Sequence, residues 1–103
     1  MNDLVERKMP ELVSLCRKHQ VSRLALFGSA TTGRFRHGSS DLDFLVEFEP
    51  MPPVRHADSY FGLLQDLEDL FGVAIDLVEP GPIRNPYFRE AIDRTKQILY
   101  EAA

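Results

Sequence analysis

Several features that would assign this chain to common protein classes are absent from its sequence. It contains one cysteine, Cys16, so an internal disulfide is excluded. No apolar run is long enough to cross a membrane, and no N-terminal signal peptide is recognisable. Internal repeats and low-complexity segments are missing as well. These absences favour a globular protein of the cytoplasm.

Positive charge is also scarce. The chain has 12 Lys and Arg residues against 16 Asp and Glu, which gives a formal net charge of −4. Proteins that bind nucleic acid without sequence preference neutralise its phosphates with a basic surface. We therefore expect no direct binding to nucleic acid, although a local cluster of cations stays open.

What the chain does have is enough apolar material for one core. It is 103 residues long and 44% hydrophobic, a size at which a single core is normal and two lobes with a cleft between them are not. We expect one domain over residues 1–103.

Hydrophobic periodicity predicts helices alternating with strands. Gly72 is the natural stop for the second helix, and Pro10 marks either a first turn or a kink in the first. The predicted helices cover residues 3–19, 56–71 and 85–100, and the predicted strands cover residues 23–27, 41–48 and 73–78. This alternation is typical of an α/β fold in which helices cover one sheet.

A glycine-serine turn follows the first predicted strand, in the run Leu26-Phe27-Gly28-Ser29. Glycine allows a backbone to approach phosphates closely, and a serine hydroxyl with neighbouring N–H groups supplies hydrogen-bond donors. The turn lacks the Gly-Lys-Ser/Thr of a Walker loop. Positive charge for a phosphate must therefore come from a metal or from residues of the following loop, such as Arg34, Arg36 and His37.

Two carboxylates begin the second predicted strand. Residues two apart on a strand point to the same face with Cα atoms roughly 6.5 to 7 Å apart, so Asp41 and Asp43 can share a metal ion. The apolar residues Leu42, Phe44, Val46 and Phe48 then point to the other face and can be buried. Mg²⁺ usually takes one or two carboxylates and completes its shell with water and phosphate oxygens.

A third acid, Asp76, lies between Ile75 and Leu77 in the third predicted strand. An aspartate at such a position is costly to bury unless it is paired, hydrogen-bonded or bound to a metal. Taken alone, Asp76 is more simply explained by exposure to solvent on an open sheet face. The combination of the turn, the pair and the third acid favours phosphate chemistry.

The Gly28-Ser29 turn, the run Asp41-Leu42-Asp43-Phe44-Leu45-Val46 and Asp76 together resemble the nucleotidyltransferase superfamily of the DNA polymerase β type. The short chain and the run Arg84-Asn85-Pro86-Tyr87-Phe88-Arg89 resemble its minimal branch, the MNT antitoxins. The resemblance implies a nucleotidyltransferase fold, which is a small mixed sheet with helices packed mainly on one face. It also implies that nucleotide contacts come from Gly28, Ser29 and Ser40, and that Mg²⁺, as two ions, is held by Asp41, Asp43 and Asp76.

The same resemblance implies a reaction and a partner. The expected reaction transfers AMP from ATP to a hydroxyl, with Asp76 as acceptor of its proton, and the expected partner is a helical HEPN-type toxin carrying the acceptor tyrosine. Two alternatives stay open. One is a non-catalytic antitoxin that masks its partner, and the other is a small-molecule nucleotidyltransferase, which the absence of an acceptor domain in this sequence disfavours. Retention of Ser29 and the three acids favours the enzyme, since a pure binder has no physical need for clustered carboxylates.

Overall fold

The computed structural model describes residues 2–33 and 41–103. A 3₁₀ turn, which we call the Gly28 turn, spans Gly28–Thr31 between the first two strands. The helices are α1 (Asp3–Arg7), α2 (Met9–Lys18), α3 (Pro53–Phe71) and α4 (Pro86–Thr95). The strands are β1 (Val21–Phe27), β2 (Leu42–Phe48), β3 (Ile75–Val78) and β4 (Gln97–Glu101).

The four strands form one mixed sheet in the order β3-β2-β1-β4. The central strand β1 is antiparallel to both β2 and β4, whereas β2 and β3 are parallel. A parallel pair needs a crossover connection, and α3 supplies it. The predicted α/β class with a small mixed sheet is confirmed.

The main core lies between one face of this sheet and helices α1 to α3. The predicted alternation along β2 is confirmed, because Leu42, Phe44 and Val46 are fully buried in this core and Phe48 packs partly buried against it. The helices contribute the apolar residues of their inner faces, namely Val5, Leu12, Cys16, Leu63, Leu67 and Phe71. Cys16 is therefore a core residue.

A smaller core covers the opposite face. Ile92 of α4 packs there against Ala25, Phe27 and Leu45. Three helices thus lie on one face and one on the other, as expected for a sheet with helices mainly on one side. None of the helices in the described part of the chain combines the length and apolarity that a membrane-spanning helix requires.

The C-terminal helix predicted through residue 100 is wrong in its last five residues. Helix α4 ends at Thr95, Lys96 adopts an extended conformation with φ −64° and ψ 142°, and the chain continues as β4. The open edge of β1 accounts for this, because β4 pairs there from Arg23 opposite Glu101 to Leu26 opposite Gln97. Tertiary pairing overrides the local helical pattern.

The other boundaries differ from the prediction by a few residues. The first predicted helix is two helices, since Pro10 has no N–H and cannot continue a helical ladder from α1; it lies in the first turn of α2. Helix α3 begins at Pro53, earlier than predicted, and ends as predicted at Gly72 in the left-handed conformation with φ 66°. Strand β1 begins two residues early at Val21, and β3 two residues late at Ile75.

Candidate active site

The Gly28 turn lies directly against a carboxylate of β2. Gly28 has φ +73°, a conformation that other residues rarely adopt, and a Cβ placed on it would lie 2.6 Å from Oδ2 of Asp43. Glycine is required here for both reasons. The space that the missing side chain leaves is taken by the Asp43 carboxylate, an arrangement that the sequence pattern does not reveal.

Two threonine hydroxyls hold the backbone of Gly28. Its N–H donates to Oγ1 of Thr95 at 3.0 Å, and the Thr95 hydroxyl donates in turn to the carbonyl of Ala91 at 2.9 Å. The hydroxyl of Thr31 donates to the Gly28 carbonyl at 2.8 Å. Gly28 is therefore anchored to α4 through its N–H and to the turn itself through its carbonyl.

The sheet register brings the acids to one end of the molecule. Asp43 is opposite Phe27, the last residue of β1, and opposite Asp76 on the parallel strand β3. The end of β1 and the beginnings of β2 and β3 therefore meet beside the Gly28 turn. Asp43 is half-buried there, whereas Asp41 and Asp76 are exposed.

This arrangement concentrates negative charge around Asp43. Burial, followed by the neighbouring carboxylates of Asp76 and Asp41, raises the pKa of Asp43 from 3.8 to about 6. Each of these causes disfavours the ionised form. A divalent cation would offset the repulsion and favour the charged form.

The donor set fits Mg²⁺ provided that substrate phosphates complete the coordination shell. Among residues 2–33 and 41–103, no group of three or more His, Cys, Asp or Glu side chains is arranged to hold a metal ion by itself. Mg²⁺ rarely uses an all-protein cage and is normally held by one or two carboxylates together with substrate phosphates. Asp43 with a neighbouring acid meets that requirement, so the three-acid metal site stays a prediction.

The remaining predicted site residues divide into two groups. Ser29 lies half-buried in the Gly28 turn, next to Gly28. Ser40 and the candidate cations Arg34, Arg36 and His37 lie outside the described residues, so their predicted roles stay predictions.

Sequence reasoning missed one residue of this site, Thr95. It is far along the chain from Gly28, and hydrophobic periodicity predicts it inside a longer helix. No local pattern distinguishes it from a solvated threonine on a helix surface. Only the packing of α4 across the sheet brings its hydroxyl to the turn.

Comparison with known proteins agrees with this geometry. The sequence model of the family described as "Nucleotidyltransferase domain" matches residues 12–99. Over 76 residues, 74% of each chain, the sequence is 38% identical to the Methanocaldococcus jannaschii protein named "Putative protein adenylyltransferase MJ0128".

Solved structures are similar over nearly the whole chain. A structure described as a "putative minimal nucleotidyltransferase" is 33% identical, with a TM-score of 0.65 over 90% of both chains. A chain from the complex of a tri-AMPylated Shewanella oneidensis HEPN toxin with an MNT antitoxin is 16% identical, with a TM-score of 0.61 over 94% of this chain and 72% of that one. At that identity the second match shows the fold alone.

A glycine turn beside clustered acids on a mixed sheet suits phosphate chemistry assisted by a divalent cation. The family match covers most of the sequence, and the chain belongs to the nucleotidyltransferase domain family. The predicted resemblance and enzyme class are confirmed.

Proposed function

We propose that the chain is a protein adenylyltransferase that uses Mg²⁺ and moves AMP from ATP to a hydroxyl of a HEPN-type toxin. The observation that carries the proposal is the placement of Asp43 opposite Asp76 and against Gly28. Carboxylates on adjacent strands beside a glycine turn suit a phosphate whose charge is shared with a cation.

Each residue has a role in this reaction. Asp41 and Asp43 hold the cation that accompanies the triphosphate, and the Gly28 turn with the Ser29 hydroxyl receives the terminal phosphates. Bound Mg²⁺ supplies Lewis acidity at the phosphoryl oxygens. Asp76 completes the carboxylate cluster and accepts the proton of the attacking hydroxyl, which bonds to the α-phosphorus as pyrophosphate leaves.

The choice of a protein as acceptor has three supports. The relative from M. jannaschii is named a protein adenylyltransferase, and the similar S. oneidensis chain comes from a complex whose HEPN toxin is AMPylated. The exposure of Asp76 supports it too, because a hydroxyl on a folded partner can reach an exposed carboxylate on an outer strand.

The proposal is tested by co-expressing the chain with a HEPN-type partner and following the partner's mass with Mg²⁺ and ATP. We expect the partner to gain the mass of AMP on a tyrosine. Asp41→Asn and Asp43→Asn abolish the gain because they remove ligands of the cation. Asp76→Ala abolishes it while keeping measurable affinity for Mg²⁺-ATP by calorimetry, since the remaining pair still holds the cation.

The matched control is Asp58→Asn, which removes one exposed acid of α3 outside the cluster and should leave transfer unchanged. Normal transfer by Asp43→Asn would refute the metal site. A stable complex whose partner is never modified would favour the antitoxin that only masks its partner.

A further inference from the structure

Thr95, the last residue of α4, touches the Gly28 turn through a single directional contact. Its side chain is half-buried, and its Oγ1 lies 3.0 Å from the Gly28 nitrogen. A threonine hydroxyl has one proton, which goes to the Ala91 carbonyl at 2.9 Å. The oxygen lone pairs are therefore left to accept the Gly28 N–H, and the last turn of α4 fixes the direction in which that N–H points.

The contact extends to the carboxylate cluster through Gly28 itself. Asp43 occupies the space where a side chain on Gly28 would be, with Oδ2 only 2.6 Å from the ideal Cβ position. A rotation of the peptide group that carries the Gly28 N–H would therefore change what the Asp43 carboxylate packs against. Thr31 restrains the carbonyl of the same residue, so the N–H held by Thr95 is the other restraint on this glycine.

We infer that Thr95 is a positioning residue for nucleotidyl transfer: through the Gly28 N–H, it sets the turn relative to Asp43 without touching the nucleotide. The inference rests on the proposed function. Transfer between an acceptor and a triphosphate depends on alignment, and a misplacement of about 1 Å can cost on the order of 100-fold in rate. The Thr95 hydroxyl thus links the position of α4 to the alignment of the reacting groups.

Three variants separate positioning from simple support of the fold. Thr95→Val keeps the shape and removes the hydroxyl, Thr95→Ser keeps the hydroxyl, and Glu90→Val places a β-branched residue at an exposed position of α4 as a control. We expect Thr95→Val to lower kcat for AMP transfer about tenfold or more, with Mg²⁺-ATP affinity changed less. Thr95→Ser and Glu90→Val should stay near the parent value, all measured well below the melting temperature.

Exchange of the Gly28 amide proton, followed by NMR, gives a readout independent of activity. It should be faster in Thr95→Val and unchanged in Thr95→Ser. The inference is overturned if Thr95→Val keeps the parent kcat, whatever happens to the amide, or if the amide stays equally protected. If the parent chain transfers no AMP at all, the proposed function fails. The hold of Thr95 on the Gly28 N–H is then decided by the amide alone, with faster exchange in its favour and unchanged exchange against it.

Discussion

Asp43 has a half-buried carboxyl group, and its surroundings disfavour the charge that a metal ligand needs. It lies against Gly28, opposite Asp76 and within the field of Asp41, and these surroundings raise its pKa to about 6. A group whose pKa is higher in the folded state than in the unfolded state binds more protons when folded. Stability therefore falls as the pH rises from about 4 to about 6 and stays reduced above that range.

Asp43→Asn should accordingly stabilise the metal-free chain at pH 7.5. The expected rise in melting temperature is a few degrees, given that about 1 kcal/mol moves a domain of this size by roughly 4–8 °C. The gain should shrink towards pH 4, where Asp43 is protonated and uncharged. Thermal unfolding at several pH values checks this.

Adding Mg²⁺-ATP should make the melting temperature of the parent chain higher than that of Asp43→Asn, because only the parent chain keeps the Asp43 carboxylate that holds the cation. Equal melting temperatures for both proteins at pH 7.5 without metal would show that the ionised Asp43 carboxylate does not destabilise the folded state.

The close packing of α2 against α3 requires a glycine in α3, namely Gly62. His19, just after α2, hydrogen-bonds to Asp66 at 2.6 Å, and Lys18 reaches the same carboxylate at 2.9 Å. The His19 ring lies over Gly62 of α3, where an added Cβ would be 2.7 Å from Cε1. The glycine is thus used for close packing, at a cost in helix propensity.

Gly62→Ala tests this packing in two backgrounds. In an otherwise unchanged chain, the gain of about 1 kcal/mol in helix propensity should be cancelled or exceeded by displacement of the His19 ring. In a His19→Ala background the same change should stabilise by about 1 kcal/mol. Urea unfolding measures the difference as a coupling energy.

The control for Gly62→Ala is Gly81→Ala, whose added Cβ meets nothing within 4 Å. It should give the same small effect in both backgrounds. Equal stabilisation by Gly62→Ala with and without His19 would mean that the ring moves aside freely.

On the scale of the whole molecule, the candidate site lies at one end of the sheet, where two of its acids are exposed in the part of the chain that the structure describes. Asp41 and Asp76 are exposed, and β3 is an outer strand of the described sheet. We therefore propose that a second molecule excludes water from the α-phosphate and aligns the hydroxyl. A partner that supplies both would raise the rate through positioning, the main catalytic contribution in phosphoryl transfer.

Pyrophosphate release should therefore be slow for the chain alone and at least about tenfold faster with the proposed HEPN-type partner present. The complex containing Asp76→Ala is the control and should release pyrophosphate no faster than the chain alone. Equal rates with and without partner would contradict the need for a second molecule. Rapid transfer to a small hydroxyl compound by the isolated chain would favour the small-molecule enzyme.

Local sequence pattern by itself determined the parts of this protein that depend on neighbours along the chain. The alternation in β2 separates buried residues such as Phe44 from Asp43, and Gly72 ends α3 in a left-handed conformation. The sequence also predicts strands at Asp43 and at Asp76, and the structure contains both strands. Period and turn chemistry are short-range properties, so they can be read without a structure.

Tertiary structure alone decided the remaining features. Residues 97–101 form β4 because the edge of β1 offers backbone partners, although their local pattern also suits a helix. The Thr95 hydroxyl meets Gly28, and the Asp43 carboxylate fills the space of the missing Gly28 side chain, only after α4 and β2 pack beside the turn. These contacts join residues far apart in the sequence, and their energy exists only when the sheet and both its faces are assembled.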